Sequence, residues 1–276
     1  MTAVDRWNYM VSEEHAQTER LRDPSPPTSD HWHGLADNFR MNPERIGDPV
    51  VDGLLARLQP NQVVIDVGAG AGRLTFPMAI QCSYVIAVEP SKSMSLALLD
   101  EANRYGIDNV ELIQNSWEST KVGKADVVLC AHVLYTCGDI KSFVRKLNSH
   151  ATSEVWVILF NAPPQRNSYP LWGPVHGEER LWLPALPQFE EILRELGIQY
   201  DVRVLESHQP GSFDNHADAW SQLRRRLFLS EGSEKDYKLG RVLADVLVEK
   251  SGQLHLLDAI PLKSVLVVWR PNRALI

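Results

Sequence analysis

Val63-Val64-Ile65-Asp66-Val67-Gly68-Ala69-Gly70-Ala71-Gly72-Arg73 is the stretch whose reading decides the fold. An apolar run broken only by Asp66 predicts a buried strand over Val63–Val67, and the small residues behind it predict a tight turn into a helix. Glycines there let a ligand approach the backbone closely, and the start of the helix offers free amides. A dinucleotide-binding turn wants its third glycine where this chain has Arg73. Asp66, placed at the strand end, would repel a pyrophosphate and attract a ligand that carries an ammonium and a sulfonium. No Lys-Ser or Lys-Thr pair follows the glycines, so the turn is not a P-loop.

Outward from this turn, short apolar runs alternate with helical patterns. Tyr84–Val88 reads as the second strand and closes on Glu89, where an acid can accept hydrogen bonds from both ribose hydroxyls. Ser91 can cap a helix that runs to Arg104. Val110–Ile113, Val127–Cys130 and Val155–Phe160 continue the strands, with helices over Leu74–Ile80 and from the Asp139 cap to Leu147. The alternation implies an α/β fold, a parallel sheet with helices on both faces whose ligand edge lies at the strands' C-terminal ends. Upstream, Val51, Leu54, Leu55 and Leu58 repeat at helical spacing.

After Phe160 the rhythm breaks into a proline-rich stretch carrying Tyr169, Trp172, His176 and Trp182. A helix over Pro187–Leu196, a strand over Tyr200–Leu205, two helical stretches within 214–250 and a last strand over Val265–Trp269 follow. Residues 1–47 read as a polar, mobile arm with a short helical cap, and Pro24 to Ser29 breaks any helix before it. Residues 48–276 read as one α/β domain with substrate-lid insertions near 161–185 and 210–262.

The formal net charge of -7 opposes a phosphate backbone, and Arg224-Arg225-Arg226 reads as a solvated helix face. No apolar run approaches a membrane span, and no secretory signal is visible, so a cytoplasmic protein is expected. Cys82, Cys130 and Cys137 form no metal spacing and suit a reducing compartment. His31-Trp32-His33, with Asp30 before it, forms no established metal spacing, and no metal is expected.

With Asp66, the glycines and Glu89 in this order within one βαβ unit, the chain resembles the class I S-adenosylmethionine-dependent methyltransferases. The resemblance covers about residues 35–160, and the tail only in its strand–helix order. It implies a Rossmann-like, mostly parallel sheet of seven strands whose last strand runs antiparallel. It also implies that Asp66, Gly68, Gly70 and Gly72 cradle the methionine part of S-adenosyl-L-methionine while Glu89 holds its ribose. Asn115, Ser116 and Trp117 stand where that family meets the adenine, with Met94 either against the adenine or in the core. Arg40 is a candidate for the methionine carboxylate.

Methyl transfer is direct displacement at an activated carbon, so alignment and water exclusion are the protein's main tasks. In this fold the turn Cys130-Ala131-His132-Val133-Leu134-Tyr135 faces the methyl. His132 is the best-placed candidate base, or else packs beside the cofactor. Tyr135 positions the acceptor or covers the site. This turn lacks the Asn/Asp-Pro-Pro-aromatic motif of enzymes acting on DNA amines, which with the acidic charge disfavours DNA. It also lacks the paired carboxylates of aminopropyl transfer. The leading expectation is a methyltransferase for a small-molecule acceptor. A protein or RNA acceptor, and a non-catalytic cofactor-binding protein of the same fold, remain open, as do the acceptor's identity and the oligomeric state.

Overall fold

The computed structural model describes residues 1–24, 30, 32 and 36–272. The first helix, α1, spans Ala3–Leu21, where the sequence reading expects a mobile arm. A narrow stripe holds it: Val4, Trp7 and Val11 are buried, and the Trp7 indole N–H donates to the Cys137 carbonyl at 3.0 Å. Thr2 caps the helix through the Asp5 amide, and Asp5 returns the bond to the Thr2 amide. Ser25–Ser29, His31 and His33, which carry the expected helix-breaking segment and the histidine pair, lie outside the described residues.

Eighteen further elements follow. Asp48 caps α2 (Pro49–Leu55) by accepting from the Val50 and Val51 amides. Then come β1 (Val63–Val67), α3 (Thr75–Gln81), β2 (Tyr84–Val88), α4 (Lys92–Tyr105), β3 (Val110–Ile113), β4 (Ala125–Ala131), α5 (Ile140–His150) and β5 (Ala151–Phe160). Ser91 and Asp139 cap α4 and α5 as the sequence predicts. The remainder is α6 (Trp172–His176), α7 (Leu186–Glu195), β6 (Asp201–His208), β7 (Ser212–Phe213), α8 (His216–Arg226), α9 (Glu234–Val246), β8 (Leu247–Lys250), β9 (Gln253–Leu256) and β10 (Leu262–Trp269).

Seven strands form one sheet in the order β3-β2-β1-β4-β5-β10-β6. The pairs from β3 to β5 are parallel, and β10 runs antiparallel to both β5 and β6. One face packs Ile65, Val128, Val157 and Val267 against α1, α5 and α7, and the other packs Val64, Leu129, Trp156 and Leu266 against α2 and α3. Because side chains alternate along a strand, both faces of the central strands are apolar, as a sheet covered on both sides requires.

Both insertions grow from the edge at which the parallel strands end: one leaves from Phe160, the other leaves after His208 and returns at Leu262. They share a separate apolar cluster of Leu171, Trp172 and Val175 with Phe213, Leu223, Leu239, Leu243 and Leu256. The small sheet β7-β9-β8 belongs to it and has no counterpart in the sequence reading, which gives that region only helices. The Arg180 guanidinium lies 3.9 Å from the Trp172 ring and pairs with the buried Glu14 of α1, which ties the insertion to the first helix. No described helix is long and apolar enough to cross a membrane.

Candidate cofactor and acceptor site

The glycine turn is held open at its middle and closed at its ends. Gly68, Gly70 and Gly72 all take positive φ, at 74°, 57° and 89°. A Cβ on Gly68 would stand 2.3 Å from Val133 Cγ2, and one on Gly72 would stand 2.2 Å from the Phe76 ring. These two glycines let the turn pack against the loop after β4 and against α3. At Gly70 a Cβ would meet nothing within 4 Å. The turn therefore presents bare backbone to open space at that one residue.

Two buried acids flank it. Asp66 is 2% exposed and accepts from the Thr75 hydroxyl at 2.7 Å. Burial pushes its pKa up to about 6; the Thr75 bond opposes the shift and the Glu89 charge adds to it. Glu89, 5% exposed, accepts from the backbone amides of Gly70 and Ser91, each at 2.8 Å. Its pKa is also raised by burial, against those two amide bonds and with the help of the Asp30 charge. Among the described residues neither carboxylate has a cationic partner. Two buried acids beside an open stretch of backbone amount to a place prepared for a cation that also carries hydroxyls.

The chain before α2 lies across α4 beside this place. Asp30 accepts from Ser91 Oγ (2.8 Å), the Ser93 amide (2.8 Å) and Ser93 Oγ (2.7 Å). Ala36 packs with Ala71 of the turn and with Met94 and Ala97 of α4. Met94 thus borders the turn but is itself only 3% exposed. Arg40, expected at the methionine carboxylate, is instead consumed by Asp37 (2.7 Å), Asp100 (3.2 Å), Glu101 (3.1 Å) and the Ala97 carbonyl (3.2 Å). It fastens this segment to α4, with four of its five N–H donors engaged there.

Beyond β3, Asn115 is exposed and Ser116 partly so, at the end of the sheet where an adenine would lie. Trp117 turns away from that place. It is 3% exposed in the core, edge-on to His150 of α5 at 5.2 Å and with the Lys146 ammonium 4.9 Å from its ring centre. Lys146 also donates to three carbonyls of the same turn, which fixes the indole inward. Cys130 is fully buried, and its side chain belongs to the core. Sequence position alone could not separate these inward side chains from outward ones.

His132 stands at the edge with a positive φ of 58°, a conformation that histidine tolerates better than most residues. Tyr135 connects it to the next strand: the Phe160 backbone N–H donates to the Tyr135 hydroxyl at 2.6 Å, and that oxygen lies 3.1 Å from His132 Nδ1. The hydroxyl accepts from Phe160 and its own proton is free to point at Nδ1, in which case the neutral His132 carries its proton on Nε2. Burial lowers the His132 pKa to about 3, with the charges of Arg73 and His208 pushing the same way. Burial therefore favours the neutral form of His132 and makes it a weaker base than its place in the sequence suggests.

Two further places were missed by sequence reasoning. Among the described residues Arg73 has a buried Nε without a hydrogen-bond partner, and its Nη2 reaches Asp48 at 3.4 Å, where Arg45 lies closer at 2.9 Å. The sequence signal was its place directly behind the glycines. The other is His208 at the end of β6, which has no motif and reaches this edge only through the sheet order.

The strand order with one antiparallel strand, the acid-glycine turn and the second acid define a Rossmann-like methyltransferase fold. Residues 65–157 match the family described as a methyltransferase domain. An uncharacterized protein of Haemophilus influenzae is 26% identical over 206 residues, 73% of this chain and 74% of its own length. The ubiquinone biosynthesis O-methyltransferase of Rickettsia akari is 26% identical over 153 residues, 52% of this chain and 59% of that enzyme. Among solved structures, a provisionally assigned methyltransferase of Bacillus halodurans C-125 superposes with a TM-score of 0.54 at 16% identity, covering 82% of this chain and 99% of that one. The YcgJ protein of Bacillus subtilis does so at 0.52 and 14%, covering 80% and 98%. Residues 65–157 thus carry a methyltransferase domain on a Rossmann-like fold, and the cofactor of such a domain is S-adenosyl-L-methionine.

Proposed function

We propose that this protein transfers the methyl group of S-adenosylmethionine to a small molecule enclosed between the sheet edge and the inserted cluster. The observation that carries the cofactor site is the pair of buried, cation-free carboxylates, Asp66 and Glu89, on either side of the open Gly70 backbone. Asp66 supplies the negative field for the ammonium and sulfonium end. Glu89 has lone pairs beyond its two amide bonds for the ribose hydroxyls. Arg73, with its unpartnered Nε, binds the methionine carboxylate in the role expected of Arg40. Asn115 and Ser116 meet the adenine, and Met94 supports that end from beneath.

When bound, the cofactor supplies a methyl carbon activated by a sulfonium leaving group. The chain's own residues orient and enclose. Tyr135 holds the His132 tautomer, so that the Nε2–H can donate to a polar atom of the acceptor. The insertions after Phe160 and His208 leave from this edge and share one apolar cluster, and as a lid over the acceptor they would keep water from it. A small-molecule acceptor fits an acidic chain with such insertions at its ligand edge, and it agrees with the O-methyltransferase name of the Rickettsia akari relative.

Calorimetric titration with S-adenosylhomocysteine, S-adenosylmethionine and NAD tests the reading. Saturable binding of the first two, weakened at least tenfold in Asp66→Asn and Glu89→Gln, is the expected result. Binding of NAD alone would overturn it.

A further inference from the structure

From the sheet edge beyond the cofactor we infer that His208, and not His132, takes the proton of the acceptor, and that the acceptor is a hydroxyl borne on an aromatic ring. This rests on the methyltransferase reading above and names the substrate class and the base for the same site.

Three partly exposed rings stand in a row at the C-terminal edge. His132 lies 4.2 Å from Phe160, centre to centre, and Phe160 lies 5.3 Å from His208 at 88°. The two imidazoles are thus within about 10 Å of each other, close to the width of one substituted ring with its polar atoms. Phe160 supplies an apolar wall between two nitrogen heterocycles, which a planar ring matches better than an aliphatic or a highly charged body.

The two imidazoles have different partners. Tyr135 Oη lies 3.1 Å from His132 Nδ1, and with the hydroxyl donating there His132 is an Nε2–H donor. His208 has Nε2 2.7 Å from Ser264 Oγ and 3.3 Å from Glu206 Oε2. With Nε2 carrying the proton toward those oxygens, Nδ1 keeps its lone pair, and it makes no hydrogen bond among the described residues. A carboxylate behind the protonated nitrogen stabilises the imidazolium that forms when Nδ1 takes a proton.

The strand is shaped for this arrangement. Between β6 and β10 the register slips at Ser264/Val265: Val204 pairs with Val265, Glu206 with Ser264, and Leu205 is left over. Leu205 turns onto α2, where a Cβ on Gly53 would stand 2.5 Å from Leu205 Cδ2. Bulges recur where a strand must re-aim a side chain beside a functional site. Beyond the slip Glu206 and His208, two residues apart, share one side of the strand, and the buried Ser264 pairs with Glu206.

In the step itself the hydroxyl passes its proton to His208 Nδ1, and the oxygen lone pair forms the bond to the methyl carbon. The carbon–sulfur bond breaks with its electron pair returning to sulfur, which neutralises the sulfonium. His208 then releases its proton to solvent. Charge and atoms balance without a further reactant.

4-Nitrophenol is the probe, because its phenolate absorbs at longer wavelength than the phenol. The protein, with S-adenosylhomocysteine present, is titrated with the dye about one pH unit below the dye's own pKa. Wild type is expected to give a saturable phenolate band. His208→Gln is expected to bind the dye with the band reduced at least tenfold, and Glu206→Gln to give an intermediate band. His132→Gln is expected to weaken binding severalfold while the bound dye stays ionised. S-adenosylhomocysteine affinity, measured in parallel by calorimetry, should be the same in all four proteins. Absence of dye binding in wild type, or an unchanged band in His208→Gln, overturns this inference while leaving the methyltransferase reading intact. Absence of S-adenosylhomocysteine binding in wild type overturns that reading and this inference with it.

Discussion

Replacing Gly70 and Gly72 separately by alanine should damage two different properties, although both glycines belong to one motif and both have positive φ. At Gly72 the left-handed backbone (φ 89°) costs an alanine about 1–2 kcal/mol. The new methyl would also stand 2.2 Å from the Phe76 ring, which is 1% exposed and packed among Ala69, Ala87 and Leu98. Overpacking of this kind adds about 1–3 kcal/mol, so Gly72→Ala should lose about 2–5 kcal/mol of stability. At Gly70 (φ 57°) the backbone strain is about 1 kcal/mol, and nothing lies within 4 Å of the new methyl. Gly70→Ala should therefore fold nearly as well as wild type. Its methyl occupies the open space between Asp66 and Glu89, so affinity for S-adenosylhomocysteine should fall at least tenfold, about 1.4 kcal/mol. Urea unfolding of the unliganded proteins gives the first quantity, and calorimetry gives the second. Equal stability losses in the two variants, or Gly70→Ala with wild-type affinity, would refute the assignment of Gly70 as the residue that faces the cofactor.

Asp66 makes binding pH-dependent: its pKa of about 6 in the empty protein must fall when a cation arrives, so below about pH 6 binding costs a released proton and affinity drops by up to tenfold per unit. Calorimetry from pH 5 to 8 should show that slope in wild type and a shallower one in Asp66→Asn, where the raised Glu89 carboxyl remains. The same raised pKa means the empty protein binds more protons than the unfolded chain between about pH 4 and 6, so Asp66 lowers its stability as pH rises through that window. Trp7→Ala removes a fully buried indole that donates to Cys137 and packs on Phe189, and should lose about 3–5 kcal/mol in urea unfolding; an unchanged midpoint would mean that α1 is only an arm. Arg40→Ala should weaken adenosine and S-adenosylhomocysteine equally, because Arg40 fastens the segment over α4; loss confined to the ligand with the amino-acid end would restore the carboxylate role to Arg40.

Where backbone pattern decides, the sequence was legible. Val63–Val67, Tyr84–Val88 and Val110–Ile113 occur with the expected bounds, because short apolar runs between turn residues have no competing helical period. Ser91 and Asp139 cap α4 and α5 because cap chemistry is local. What was not legible depends on partners distant in the chain. The Val4–Trp7–Val11 stripe of α1 is too narrow to stand out among charges, and gains its meaning only from Cys137 and Phe189. Strands β7, β8 and β9 are two to four residues long beside two helices, below the length at which alternation can be seen.

The candidate site divides along the same line. Asp66, Glu89 and the three glycines were legible because the backbone itself makes the site and their spacing within one βαβ unit is a property of the chain. Arg40 was not, because three acids closer to it than any ligand, Asp37, Asp100 and Glu101, compete for one guanidinium. His132 looked like a base because an isolated imidazole titrates near neutrality. Burial and the Arg73 charge push its pKa down, and neither is visible in residue order. His208 was invisible for the converse reason: its strand is remote in sequence, and only the insertion of β10 between β5 and β6 lays it at the edge beside Phe160. The proposed cofactor half of this site is therefore written in local sequence. The acceptor half is written in topology, which is why the acceptor has to be sought with probes aimed at Phe160 and His208 and not with the glycine motif.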